Sequence, residues 1–69
     1  MKITLAQLIM AFDDACRRRG QYGSLDVRTR WIMCELLRCD PWDLDAALDH
    51  HGRDAVLDGH ETTEQTKAL

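Results

Sequence analysis

Leu5, Leu8, Ile9, Phe12 and Cys16 fall on one helical stripe, spaced i, i+3, i+4, i+7 and i+11. The stripe predicts a first helix over about 4–19, with Thr4 as its N-cap and Gly20 as its stop. Arg17, Arg18 and Arg19 suit the negative pole of that helix. After Gln21-Tyr22-Gly23, Ser24 can cap a second helix over about 25–39, with Asp26 in its first turn. This helix is apolar on two sides. Leu25, Ile32, Met33, Leu36 and Leu37 cover one broad face, while Val27, Trp31 and Cys34 form a second stripe flanked by Arg30 and Arg38.

Asp40-Pro41-Trp42-Asp43 reads as a helix start: Asp40 as N-cap, Pro41 at the first helical position and Asp43 as a capping carboxylate. The third helix then carries Leu44, Ala47 and Leu48 on its apolar stripe and ends at His51, before Gly52. A short turn over 53–58 stops at Gly59, and the polar stretch 60–69 reads as a flexible tail. The expected fold is all-α, a single domain over 1–59 built from a helical hairpin, a third helix and a short C-terminal turn. There is no internal repeat and almost no strand signal.

Length changes the picture. Sixty-nine residues make one small domain that buries only about 60% of its unfolded surface, so a second copy of the chain is a natural addition to the core. Val27, Trp31 and Cys34 are the expected homodimer interface, unless the third helix folds back and covers them. An apolar share of 45% and a charged share of 30% are those of a globular protein and exclude a disordered one.

Charge is sorted along the chain. Residues 1–38 carry seven Lys/Arg against four acids, for +3, whereas residues 39–69 carry two against eight, for −6. A basic end and an acidic end suit electrostatic docking to another protein or to a second copy. The longest apolar run, Trp31-Ile32-Met33-Cys34, is far short of the ~20 residues of a membrane span. No membrane association is expected. Residues 3–10 are interrupted by Thr4 and Gln7 with no small-residue cleavage site after them, so the expected location is cytoplasmic.

Candidate chemistry is thin. Three cysteines, an odd number, argue against a disulfide framework and for reduced, buried thiols. Cys34, Cys39, His50, His51 and His60 lack ligand spacing for zinc. On a continuous helix Cys34 and Cys39 lie about 140° apart and do not converge, and the two adjacent histidine rings should point to different faces. No metal or cofactor is expected. The aspartates at 40, 43, 45, 49, 54 and 58 match no calcium loop and read as a solvated face, or as a row of negative charge offered to a basic groove. Gly20-x-x-Gly23 follows no strand and is no phosphate loop. Nothing orients a catalytic group, so no enzymatic activity is expected.

Trp and Arg carry binding energy disproportionately, which singles out Trp31, Arg30, Arg38 and Trp42 as partner-binding residues. Tyr22 and the Arg17, Arg18, Arg19 cluster come next. The class these features suggest is a non-enzymatic protein-interaction module: a small adaptor or stoichiometric inhibitor of a host protein or complex, of the kind carried by phage and mobile elements. Its partner could be a nucleic-acid-handling complex. The alternative is a small nucleic-acid-binding transcriptional regulator that uses the Arg17–Arg19 cluster on phosphates. An acidic chain with Asp43, Asp45 and Asp49 on its third helix makes direct nucleic-acid binding the weaker reading.

Overall fold

Thr4 begins the first helix with a reciprocal cap. Its hydroxyl accepts the Gln7 backbone N–H at 3.1 Å, and the Gln7 side-chain oxygen accepts the Thr4 N–H at 2.8 Å. Helix α1 then runs Leu5–Arg19 and closes on Gly20, whose positive φ of 68° glycine adopts without strain. The structure, a computed structural model, describes residues 2–20 and 25–59. Among these, four helices and no strand occur. Tyr22, Ser24 and the stretch 60–69 lie outside the described residues.

Helix α2 is shorter than its apolar pattern suggests, Val27–Leu37 in place of about 25–39. Asp26 is the N-cap: its carboxylate accepts the Thr29 N–H at 2.8 Å, which fixes the helix start. The other end is set by Arg38, which turns into the left-handed region at φ 54°. That conformation costs a non-glycine residue roughly 1–2 kcal/mol. It lets the Arg38 and Cys39 N–H groups both reach the Cys34 carbonyl, the latter at 3.1 Å, so an orphan acceptor at the helix end is satisfied twice.

Helix α3 runs Pro41–His51 with Asp40 as N-cap and proline in the first turn. Asp40 makes no side-chain cap bond, so the start rests on the proline and on backbone bonding alone. Gly52 ends α3, and residues 53–59 form a short helix, α4. Val56 of α4 is buried, and Gly59 lies so close to Ile9 of α1 that a Cβ there would collide with its side chain.

Packing is ordered by α2, which touches both α1 and α3. From α1, Leu8, Phe12 and Cys16 are enclosed together with Ala11 and Ala15, whose small side chains let a neighbour approach closely. Met33, Leu44, Leu48 and Val56 complete one core. The His51 ring nitrogen Nε2 lies 2.9 Å from the Ile3 carbonyl; since a carbonyl only accepts, this nitrogen carries the hydrogen and ties the end of α3 to the segment before α1.

Phe12 is the largest fully enclosed side chain. Phe12→Ala is expected to cost about 3–5 kcal/mol, much of the roughly 3–10 kcal/mol a domain of this size commands. Far-UV circular dichroism in urea should show Phe12→Ala largely unfolded, while Met10→Ala, at a residue 72% exposed, leaves the midpoint nearly unchanged.

Candidate interaction face

The second apolar stripe of α2 is divided by α3. Cys34 is drawn into the core, where it packs in the cluster that includes Leu44, so within one chain it is a core residue rather than a surface one. Val27 and Trp31 stay outside, Trp31 with 61% of its surface exposed. One helical turn separates them, so they lie side by side on the same face of α2.

Trp31 forms a ridge between two hollows. The first, about 190 Å³, is shared by Val27, Arg30 and Cys34 of α2 with Pro41, Leu44 and Asp45 of α3. The second, about 350 Å³, is lined by Arg19, Arg28, Ile32 and Glu35. Trp42 follows Pro41 in the first turn of α3 and is 83% exposed, the most of any large apolar side chain among the described residues.

Arg30 spans the seam between α2 and α3. Its Nη1 reaches Asp45 Oδ1 at 3.5 Å, a long contact, and its Nε–H is enclosed without an acceptor among the described residues. This guanidinium is under-satisfied where it stands. Arg38 is exposed at the αL turn and makes no ion pair among the described residues.

The Arg17–Arg19 cluster is largely engaged within the chain. Arg17 pairs with Asp13 at 3.1 Å and Arg18 with Asp14 at 3.6 Å, each one turn back along α1. Both pairs are solvent-exposed and weak. Arg19 differs: only 18% of its side chain is exposed, and one Nη donates to both oxygens of Asp26, at 2.6 and 2.7 Å, and to the Thr29 hydroxyl at 2.8 Å. Sequence pattern places Arg19 among free surface arginines; the structure uses it to fasten the end of α1 to the start of α2. Bonds from Arg19, then from the Thr29 N–H and hydroxyl, hold the Asp26 carboxyl far below its ordinary 3.8.

The acidic residues are also partly spent. Asp45 meets Arg30, and Asp49 pairs with Arg53 at 3.6 Å, while Asp43 is exposed. The rings of His50 and His51 pack edge to face, 4.9 Å between centroids, so this doublet converges where separate faces were expected. Among the described residues no three His, Cys, Asp or Glu side chains gather as metal ligands. A feature that periodicity misses is Met10, off the α1 stripe and exposed, at the edge of a hollow of about 420 Å³ shared with Leu36 and Leu37 of α2.

Comparison with protein-family models, with curated protein sequences and with solved structures gives no match. Among the described residues no helix is long and apolar enough to cross a membrane.

The Arg19–Asp26–Thr29 clamp sets a pH dependence. A carboxyl lowered in the folded chain adds stability that is present above its unfolded value near 3.8 and is lost as pH falls below that value toward the folded one. Urea midpoints taken between about pH 7 and about pH 2 should fall on the acid side in the wild type. Asp26→Asn, which keeps a capping oxygen but loses the charge, should start lower at neutral pH and show a shallower acid decline.

Proposed function

We propose that this chain is a non-enzymatic protein-interaction module, a small adaptor or stoichiometric inhibitor that works by seating another protein on the Val27–Trp31 face. The observation that carries the reading is the placement of Trp31, an indole left standing between two hollows at the junction of α2 and α3. Covering the exposed part of an indole is worth about 2–4 kcal/mol, and the face is bordered by arginines, the composition of an interface centre.

Arg30 supports the same reading. A long ion pair and an unpaired Nε–H make it ready to exchange Asp45 for a better acceptor on an incoming surface. Trp42 and Arg38 extend the surface available to a partner. Three free thiols agree with a reducing, cytoplasmic setting. The competing reading, a transcriptional regulator that binds nucleic acid through Arg17, Arg18 and Arg19, is less well supported, because each guanidinium already meets a carboxylate.

The occupant of the face is either a second copy of the chain, as the length argument favours, or a different protein. Trp31→Asp separates these. Because Trp31 is exposed within one chain, the variant should keep its helical fold by circular dichroism, with a melting profile lowered only where a wild-type dimer is lost. Light scattering that shows a wild-type dimer and a Trp31→Asp monomer assigns the face to self-association. A wild-type monomer that captures a partner from lysate, with capture lost in Trp31→Asp or Trp42→Ala, assigns it to a heterologous complex. If neither mass nor capture responds to these substitutions, the proposal fails.

A further inference from the structure

Cys34 and Cys39 are brought together by the turn that ends α2. The helix stops at Leu37, Arg38 takes a left-handed conformation, and the Cys39 N–H returns to the Cys34 carbonyl at 3.1 Å. In helix endings of this kind the residues joined by that bond frequently meet through their side chains as well. Here both are cysteine, and beside the larger effect of burial each thiol acts on the protonation of the other. The 140° separation expected on an unbroken helix is thus overturned: Cys39 is no longer on the helix.

The geometry points to a redox modification site, a dithiol that closes to an intramolecular Cys34–Cys39 disulfide on meeting a small-molecule disulfide such as oxidised glutathione. Access is sufficient for the first step, since Cys39 is only half-buried and Cys34 borders the hollow beneath Trp31. The third thiol, Cys16, is fully enclosed and does not compete. The Cys39 thiolate attacks one sulfur of the oxidant, whose S–S bond breaks and releases one thiolate. The Cys34 thiolate then attacks the Cys39 sulfur of the mixed disulfide and expels the second. The protein loses two protons and two electrons, and the oxidant becomes two thiols.

The surroundings set the pace. Burial pushes the Cys39 thiol up to about 11 and raises Cys34 as well. Asp40 and Asp43 add like charge around Cys39, Asp40 and Asp45 do so around Cys34, and Arg30 of α2 opposes them at Cys34. Little thiolate exists at neutral pH, so closure is slow there and accelerates up to tenfold per pH unit between about pH 7 and about pH 9. The same property makes both sulfurs poor leaving groups, so the bond persists once made.

Trypsin supplies the test, because it cuts after Arg30, Arg38 and Arg53 and so separates the two cysteines. The full chain is incubated with excess oxidised glutathione, quenched in acid, alkylated under denaturing conditions and digested without reductant. The expected product is a linked pair, 31–38 joined to 39–53, with Cys16 alkylated and the intact chain lighter by two hydrogen atoms. Cys34→Ser should stop at a glutathione adduct on Cys39. A lasting adduct on wild-type Cys39 with Cys34 free, a link through Cys16, a link between chains, or no loss of free thiol would each overturn the assignment.

Discussion

Helix α2 has eleven residues and two neighbours, and this constraint governs the molecule. Thr29 and Met33 are enclosed within the chain's single core, and Cys34 packs in the cluster that holds Leu44 of α3. What remains of its circumference, Val27 and Trp31, is left outside, because neither α1 nor α3 lies over it. Two neighbours enclose part of a helix that is apolar on both sides, and the indole is the part left over.

The same economy shapes the electrostatics. The sorted charge of the sequence suggests a basic pole and an acidic pole, and folding offsets part of it, mostly by pairs within each half. Arg30 from the basic half meets Asp45 from the acidic half across the α2–α3 seam. Arg19 is held by Asp26, an acid of its own half, whose carboxyl it keeps well below the usual range. Exposed pairs such as Arg18–Asp14 contribute little energy, yet they lower the field that α1 would otherwise project at its end.

The ends of α1 and α3 were legible in the sequence because each is marked by short-range chemistry: Thr4, Gly20, Asp40-Pro41 and Gly52. The ends of α2 were not. The sequence pattern put Asp26 in the first turn after a Ser24 cap, whereas Asp26 is itself the N-cap, held there by Thr29 and by Arg19 from the preceding helix. Arg38 in a left-handed turn carries no sequence signal, since that conformation usually announces itself as glycine. One unrecognised turn then misplaced Cys39, because a helical wheel drawn through 39 assigns it a direction the chain never takes. Trp42 could be anticipated as exposed from its position off the Leu44, Ala47 and Leu48 stripe, whereas Trp31 stands on the second stripe of α2, whose cover the sequence left open between α3 and a second copy. The hidden role of Arg19 could not, as its partners lie across a loop.

The hydrogen bond from His51 to the Ile3 carbonyl joins residues forty-eight apart in the chain. It fixes the backbone before α1 against the last turn of α3, two segments that no helix joins directly. α1 and α2 can pair without it, as neighbours in sequence, whereas this contact closes a loop that spans most of the described fold. The two segments it links therefore gain or lose their order as one.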